Sequence, residues 1–131
     1  MNDKMSASTN ALNWFEIPVI DAERAQEFYE QIFQIIMHPM DMMGMKMIMF
    51  PSTGEDGKVG GALVKGERHI PSLTGCIVYL NGNPDLQQVL NHVPTAGGKI
   101  KLPKTDIGGG NGYVAFFEDT EGNIIGLHSN S

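Results

Sequence analysis

The stretch Gly112-Tyr-Val-Ala-Phe-Phe-Glu-Asp-Thr-Glu-Gly-Asn-Ile-Ile-Gly-Leu-His128 decides the fold of this chain. Residues 114–117 and 124–127 are apolar and rich in β-prone side chains, and the acidic and glycine residues between them favour a tight turn. The stretch therefore predicts two antiparallel strands that close a sheet.

Composition limits the class of protein. A chain of 131 residues is long enough for one domain with its own core. The net charge of -6 and the scattered lysines and arginines argue against nucleic-acid binding. No apolar run is as long as a membrane span, and residues 1–10 lack the apolar segment of a signal peptide. We therefore expect a soluble, cytoplasmic protein with no membrane partner, a flexible N-terminus over residues 1–11, and a buried, unreactive Cys76.

Upstream of this hairpin, a strand followed by a helix is predicted twice. Residues 13–19 are strand-like, and Asp21 caps a helix with one apolar stripe. Residues 76–80 are again strand-like, and residues 83–84, Asn-Pro, supply a cap and a first-turn proline for a second helix that ends at residues 96–98. The apolar stripes consist of Ala25, Phe28, Tyr29, Ile32 and Phe33 in the first helix, and of Leu86, Val89, Leu90 and Val93 in the second.

Three short apolar runs separated by turns follow each predicted helix. Each half of the chain is therefore β-α-β-β-β, and a sheet with a helix on one face must bury its other face elsewhere. We predict an α+β fold in which two tandem βαβββ modules, about residues 12–66 and 73–131 of one domain over 12–131, place curved mixed sheets around a cavity with the helices outside. The runs are residues 35–40, 45–50 and 59–64 in the first half, and 99–102, 113–118 and 123–128 in the second.

These features resemble the glyoxalase/bleomycin-resistance superfamily, also called vicinal oxygen chelate proteins, over about residues 12–129. The resemblance rests on Phe15-Glu-Ile-Pro-Val-Ile-Asp21 followed by Ala25 and Phe28-Tyr29, and on Phe117-Glu-Asp-Thr-Glu-Gly-Asn-Ile-Ile-Gly-Leu127. It implies the duplicated fold and a homodimer, in which modules pair within one chain or between chains. It does not imply one activity, because the superfamily includes lyases, isomerases, dioxygenases and antibiotic-binding proteins.

Metal-dependent relatives hold an ion with one His, Gln or Glu side chain from each of four strands. The resemblance puts the first of these positions at Trp14 and the second within residues 60–63. The third falls at Gly75 or Ile77, and the fourth, a carboxylate in relatives, at Gly126. None of these residues coordinates a divalent ion through its side chain, so we predict no metal at this site and no cofactor.

Strand alternation indicates which side chains face the predicted cavity. Glu16, Tyr79 and His128 are the polar groups expected to converge there, with Trp14 as a stacking wall. A carboxylate whose pKa is raised by burial beside an imidazole would suit proton abstraction, so Glu16 is also the best catalytic candidate. A non-standard metal site that uses Glu16 and His128 stays open, and a divalent ion is expected only in such a displaced site. The predicted ligand-binding residues are Trp14, Glu16, Met47, Ile77, Tyr79, Gly126 and His128.

Methionine is crowded into one part of the chain, with seven of the nine methionines in residues 37–49. Met45, Met47 and Met49 alternate with other residues, so they share one face of a predicted strand. Three interpretations stay open: an adaptable wall for an apolar or aromatic ligand, ordinary core filling, and coordination of copper(I).

From these features we predict a metal-free protein that binds a small, partly apolar molecule between its sheets. The alternative is a lyase, isomerase or dioxygenase that uses Glu16 as a base with a displaced metal site or none, so whether the chain is an enzyme stays open. A third alternative is a small domain that acts mainly through a partner protein, which an exposed apolar patch would indicate.

Overall fold

The computed structural model describes residues 4–131, and the first three residues of the predicted N-terminus, 1–11, lie outside the described residues. The elements in chain order are β1 (Trp14–Pro18), α1 (Ala22–Phe33), β2 (His38–Met42), β3 (Met45–Met49), β4 (Gly60–Lys65), β5 (Tyr79–Asn81), α2 (Gln87–Leu90), α3 (Val93–Ala96), β6 (Lys99–Asp106), β7 (Tyr113–Glu118) and β8 (Ile124–Ser129).

Two four-stranded mixed sheets form the fold. Sheet A has the order β1-β4-β3-β2, and sheet B has the order β5-β8-β7-β6. In each sheet the first strand of the module runs parallel to the last, and the other neighbours are antiparallel. The predicted duplication of a βαβββ unit in an α+β fold is confirmed, and so is the closing hairpin of β7 and β8.

Helix α1 begins and ends at residues suited to those places. Asp21 caps the first turn, because its carboxylate accepts a hydrogen bond from the N–H of Arg24 at 3.1 Å. Gln34 ends the helix with a φ of 56°, a left-handed conformation in which its N–H reaches the carbonyl of Glu30. The predicted apolar stripe lies in the core, with Phe33 partly buried. This stripe determines which side of sheet A the helix covers.

The first strand after α1 starts later than the sequence predicts. A strand is expected over residues 35–40, whereas β2 spans His38–Met42. The N–H of Ile35 donates to the carbonyl of Glu30, and the N–H of Met37 donates to the Glu30 carboxylate at 2.8 Å. Because the end of α1 uses these two N–H groups, they do not pair with β3.

The second predicted helix is divided into two short pieces. The Asn83–Pro84 bond is cis and lies before the helical segment, so the predicted cap and first-turn proline are wrong. Pro94 interrupts the segment because it has no N–H to continue the hydrogen bonding, and α3 carries it in its first turn. The predicted apolar residues are nevertheless buried, and Gly97 ends α3 in a left-handed conformation as expected.

No helix among residues 4–131 has the length and apolar character needed to cross a membrane.

The segment that connects the modules, residues 66–78, is mostly irregular. The sequence predicts a strand over residues 76–80, but β5 begins only at Tyr79. Cys76 is exposed, so its predicted burial is wrong. An apolar neighbourhood in sequence does not bury a side chain that no second layer covers.

One core joins the helix-bearing faces of both sheets. It contains side chains from the three helices and from strands of both modules. The ring of Phe117 in β7 lies 5.8 Å from that of Phe28 and 6.3 Å from that of Tyr29, both in α1. The modules therefore pack together through their helices. On the opposite faces of the sheets, Trp14 is 40% exposed and Tyr79 is 49% exposed.

The turn between β7 and β8 fastens the two modules together. Asp119 accepts a hydrogen bond from the Tyr29 hydroxyl at 2.7 Å, and Glu121 forms an ion pair with Arg24 at 2.8 Å. Asn123 donates to a carbonyl of β1 at 2.8 Å. The hairpin that indicates the fold in the sequence thus also positions β1, which carries two of the predicted site residues.

Candidate functional site

The sheet faces that point away from the helices hold most of the predicted site residues. Ile17 belongs to the core, which leaves Trp14 and Glu16 on the opposite face of β1, and Leu127 likewise leaves Gly126 on the opposite face of β8. We call these surfaces the open faces. The open face of sheet A carries Trp14, Glu16, Pro18, Gly60, Ala62, Val64, His38, Met40, Met42, Met45, Met47 and Met49, and that of sheet B carries Tyr79, Asn81, Val114, Phe116, Glu118, Ile124, Gly126 and His128.

On the open face of sheet A an aromatic ring lies over a glycine. Trp14 pairs with Gly60 in the parallel register of β1 and β4. A Cβ built on Gly60 would lie 3.3 Å from Cζ3 of the Trp14 ring, which is a tight contact. The glycine therefore leaves room for the indole to lie against the backbone of β4.

Sheet B repeats this arrangement at the equivalent place. Tyr79 pairs with Gly126 in the parallel register of β5 and β8. A Cβ built on Gly126 would lie 2.6 Å from Cδ1 of the Tyr79 ring, closer than such atoms approach, so a side chain at residue 126 would displace the ring. The Tyr79 ring also packs on Phe116, with their centroids 5.9 Å apart. An aromatic ring over a glycine is thus a duplicated feature of the two modules.

The register also shows which residue lies beside Gly126 in sheet B. The residue opposite Gly126 is Tyr79, whereas Gly75 and Ile77 both precede β5.

The four positions do not fit a divalent ion. The first strand of each module supplies an indole or a phenol ring, and the last strand supplies glycine in both. The Tyr79 ring fills the space that a carboxylate at residue 126 would need. In the described part of the chain, no group of three His, Cys, Asp or Glu side chains lies close enough together to hold a metal ion.

Glu16 is the centre of a hydrogen-bonded group on the open face of sheet A. Its carboxylate accepts hydrogen bonds from the indole N–H of Trp14 at 3.1 Å and from Nε2 of His69 at 2.7 Å. A carboxylate only accepts, so Nε2 of His69 carries a proton. The Glu16 side chain is 32% exposed and that of His69 is 17% exposed. The group is therefore accessible from the open face without being fully solvated.

These contacts set the pKa of Glu16. The hydrogen bond from His69 lowers this pKa below its ordinary value, and partial burial acts in the opposite direction. The hydrogen bond from Trp14 lowers the pKa further. The hypothesis of a raised pKa is wrong, because the sequence did not reveal His69 as a donor. A carboxylate with a lowered pKa is a weaker general base. The arrangement therefore suits Glu16 better to accept a hydrogen bond than to abstract a proton.

Sequence analysis did not select His69 as a site residue. It lies shortly after β4 in the irregular connection, where its N–H donates to the carbonyl of Gly66 at 3.1 Å. This turn brings the imidazole back to β1. No periodic pattern marks such a residue. The one feature of the sequence that could have indicated His69 is its position shortly after a predicted strand that pairs with β1.

Five methionines share the open face of sheet A. Alternation along β3 and its register with β2 place them there, and the prediction that the three in β3 share one face is confirmed: Met40, Met42, Met45, Met47 and Met49. Met47 is buried against Ala62 and Val64 in a cluster separate from the main core. On this face β4 presents the smaller residues Gly60, Ala62 and Val64 between the methionines of β3 and Trp14 of β1, and Ala62 and Val64 are fully buried.

The polar groups expected to converge do not hydrogen-bond to one another within the described residues. The partners of Glu16 are Trp14 of the same strand and His69 of the connecting segment, and Nε2 of His128 lies 2.8 Å from the carbonyl oxygen of Asn111. Tyr79 contacts Phe116 of its own sheet. Ile77, also predicted at the site, precedes β5 and is 43% exposed. Each open face keeps its own set of polar groups.

Two cavities lie at the junction of the modules. The larger, of about 870 Å³, is on the helix side and is bordered by Phe15, Phe33 and Phe50; of the predicted ligand-binding residues it includes Tyr79 alone. The smaller, of about 220 Å³, is bordered by Glu16 and residues of the connecting segment. Neither is a chamber enclosed by the two open faces.

Comparison with protein families agrees with this architecture. The family model described as Glyoxalase/Bleomycin resistance protein/Dioxygenase superfamily matches residues 11–127. The chain belongs to this superfamily. The resemblance inferred from β1 and the closing hairpin is therefore confirmed. No curated protein sequence matches the chain.

Solved structures of glyoxalase/bleomycin-resistance proteins share the fold at low sequence identity. An antibiotic-binding protein from Streptomyces sp., TnmS3, is 21% identical with a TM-score of 0.65, over 96% of this chain and 100% of that one. The fosfomycin resistance protein FosX from Listeria monocytogenes is 15% identical with a TM-score of 0.62, over 94% and 92%. A variant of glyoxalase I from Zea mays is 20% identical with a TM-score of 0.65, and the match covers 91% of this chain but only 46% of the maize protein.

Proposed function

We propose that this superfamily member binds a small, partly apolar molecule between open faces of its sheets, without a divalent ion at the family metal positions. The observation that carries the proposal is the aromatic ring over a glycine at equivalent places in both modules. Where metal-dependent relatives present ligands to an ion, this chain presents two aromatic walls. Such walls stack on planar or apolar groups.

The surroundings of the two rings suit this role. The thioethers beside Trp14 are polarizable and flexible, so Met47 and its neighbours can adapt to ligands of different shape. Glu16 and Tyr79 supply a carboxylate and a hydroxyl that orient a bound molecule, and Ile77, Gly126 and His128 complete the second wall. The net charge of -6 favours a ligand that is neutral or cationic.

The names of similar structures are compatible with binding. One is an antibiotic-binding protein, and another is a fosfomycin resistance protein. Because the identities of 21% and 15% show the fold alone, binding of an antibiotic-like molecule by this chain is our inference.

A second copy of the chain is part of the proposal. The helix-bearing faces of both sheets are already buried in one core, whereas Trp14, Tyr79, Met40 and Met42 are each at least 40% exposed on the open faces. In a homodimer, the open face of sheet A in one copy covers that of sheet B in the other. Sedimentation equilibrium should give twice the mass of the chain, and a monomer at micromolar concentration would contradict this part.

The lowered pKa of Glu16 favours binding over base catalysis. At neutral pH the carboxylate is ionised, and its two donors reduce its affinity for a further proton. We therefore expect Glu16 to accept a hydrogen bond from a ligand. An isomerase-type or lyase-type reaction with Glu16 as base would need these contacts to be released first.

Fluorescence of Trp14 tests the binding site, because it is the one tryptophan of the chain. We expect proflavine, a planar dye with an apolar body and a cationic edge, to quench this emission in a saturable way. Tyr79→Ala should weaken binding by about tenfold, since one ring wall is lost. Ile36→Ala, which removes an exposed side chain outside the open faces, should leave it unchanged. Equal quenching in wild type and Tyr79→Ala would contradict the proposal.

Metal analysis tests the proposal that no divalent ion is bound at the family metal positions. After dialysis, the protein should contain no stoichiometric divalent metal, and nickel, zinc or manganese should not raise its melting temperature. One tightly held divalent ion per chain would contradict this part and favour the enzymatic alternative.

A further inference from the structure

Among the described residues, 4–131, one ring nitrogen of His69 has no hydrogen-bond partner. Its Nε2–H donates to Glu16, so in the neutral form of the ring Nδ1 is the nitrogen left as an acceptor. Nδ1 is buried, and within residues 4–131 no group hydrogen-bonds to it. A buried acceptor without a donor is unfavourable and calls for an explanation. A cation bound to this nitrogen would supply one.

A thioether sulfur lies next to this nitrogen. A Cβ built on Gly66 would lie 2.8 Å from Nδ1 of His69 and 3.0 Å from Sδ of Met45. The two atoms therefore border the same small space. Met42 stands opposite Met45 in the β2–β3 ladder, and Met47 is the next side chain on the same face of β3. Two further thioethers are thus close to this space.

These atoms form a soft, uncharged ligand set. Thioether sulfur and neutral imidazole nitrogen favour copper(I), whereas calcium, magnesium and manganese prefer oxygen ligands. Protein sites for zinc are built from thiolates, imidazoles and carboxylates, and one imidazole does not make such a site. Silver(I) has the same charge and preference as copper(I) and does not change its oxidation state during a measurement.

Glu16 gives His69 the form that binds a metal. A histidine that binds a metal through one nitrogen usually donates its other N–H to a carboxylate, which sets the tautomer and orients the ring. Glu16 makes this contact at 2.7 Å, while Trp14 holds its second oxygen at 3.1 Å. The lone pair of Nδ1 is thereby held beside Met45.

We propose that Nδ1 of His69 and Sδ of Met45, together with the thioethers of Met42 and Met47, bind one copper(I) ion on the open face of sheet A. This site is separate from the four family metal positions. The proposal goes beyond the proposed function, because copper(I) binding needs neither an organic ligand nor a second copy of the chain. It also accounts for the crowding of methionines in β2 and β3.

Three other residues provide the controls. Cys76 is exposed, and a thiolate binds soft ions tightly, so each measurement uses Cys76→Ser as the background. His38 stands opposite Met49 on the same open face, so His38→Gln is the matched control that separates His69 from the other histidine of this face. Met5 is 71% exposed and lies outside the sheets, so Met5→Leu is the matched control for Met45→Leu.

The direct test is competition for copper(I) under anaerobic conditions. The probe is copper(I) supplied as its acetonitrile complex, and the coloured chelator bathocuproine disulfonate reports the ion that the protein does not hold. Cys76→Ser should retain one equivalent of copper(I). His69→Gln and Met45→Leu should each lower the affinity by at least about tenfold, whereas His38→Gln and Met5→Leu should not change it.

Glu16→Gln tests the role of the carboxylate. We expect the copper(I) affinity to fall by about tenfold, because the tautomer of His69 is no longer enforced. Circular dichroism and melting temperature of each variant show whether it is folded. Methyl spectra of protein labelled at methionine give a separate readout: silver(I) should shift the signal of Met45 and leave that of Met5 in place.

Two outcomes of the copper(I) competition would contradict the proposal. If Cys76→Ser retains no copper(I), the proposal is wrong, and retention by the wild type alone would identify the thiol as the ligand. If His69→Gln and His38→Gln bind equally well, His69 is not the ligand. Neither result is evidence for or against proflavine binding, so the copper(I) proposal and the proposed function are tested independently.

Discussion

Glu121 and Glu16 show how one residue type serves two purposes in this molecule. Both have a pKa below the ordinary value. The Glu121 side chain is 0% exposed, and it accepts hydrogen bonds from Arg24 and from two backbone N–H groups of the β1–α1 turn. The Glu16 side chain is 32% exposed and has two side-chain donors, Trp14 and His69. A carboxylate whose donors come from another module stabilises the fold, and one whose donors lie on its own face stays accessible to a ligand.

The two shifts also differ in their causes. Burial alone would raise the pKa of Glu121, but the hydrogen bonds from Arg24, the N–H of Asp21, Thr120 and the N–H of Ile20 together outweigh it. For Glu16 the largest cause is the one hydrogen bond from His69, and burial is the smaller, opposing one. The turn at residues 119–123 is therefore expected to be much more sensitive to mutation than the open face.

Asp119→Ala should have the largest effect on stability. Asp119 is buried and accepts four hydrogen bonds, from the Tyr29 hydroxyl, the N–H groups of Glu121 and Asn123, and the Asn123 side chain. Removing the carboxylate leaves buried donors unpaired, so we expect the free energy of unfolding to fall by about 3 kcal/mol. Urea denaturation measures it. A loss below about 1 kcal/mol would remove the distinction between the turn and the open face.

Glu121→Gln should lower the stability by about 2 kcal/mol at pH 7, since an ionised and paired side chain is replaced by a neutral one. The folded-state pKa of Glu121 is lowered, so its contribution is present above the unfolded pKa of about 4.3 and is lost as pH falls through the lower folded value. The difference between wild type and variant should therefore shrink between pH 7 and pH 3. A difference that is independent of pH would contradict this account.

Gly126→Ala and Gly60→Ala form a matched pair that compares the two aromatic walls. The added Cβ would be 2.6 Å from the Tyr79 ring in the first variant and 3.3 Å from the Trp14 ring in the second. We expect Gly126→Ala to cost about 1 kcal/mol, because the half-exposed ring must move, and to weaken proflavine binding more than Gly60→Ala does. Equal effects would mean that the two walls are not held by glycine in the same way.

Glu16→Gln should have the smallest effect on stability, below about 0.5 kcal/mol, because the side chain is partly exposed and the amide oxygen still accepts from a donor. Thermal melts of wild type and Glu16→Gln should nearly coincide. A loss as large as that of Glu121→Gln would show that Glu16 stabilises the fold, which would weaken its assignment to a binding face.

Much of the fold could be predicted because it follows from local patterns in the sequence. The stripe of α1, the cap at Asp21, the closing hairpin and the strand faces that separate Trp14 from Ile17 all follow from spacing of two or about 3.6 residues. The division of the second helix was missed, because Pro94 acts against a stripe that otherwise continues. The exposure of Cys76 was missed because burial depends on what packs above a segment.

The candidate site was less predictable for the same reason. Trp14, Glu16, Tyr79 and Gly126 could be placed on open faces by alternation. The pairing of Tyr79 with Gly126 depends on register, which alternation does not give. His69 reaches Glu16 from an irregular segment, so no periodic signal could connect the two.

By itself the sequence determined the duplicated module, the superfamily, and a glycine at residue 126 in the closing hairpin, because these depend on residue identity and on short-range spacing. Only the tertiary structure decided that the Tyr79 ring fills the space above this glycine, that His69 lowers the pKa of Glu16, and that the buried turn at residues 119–123 joins the modules. These contacts join residues far apart in the chain, and their geometry exists only once both sheets have packed around α1.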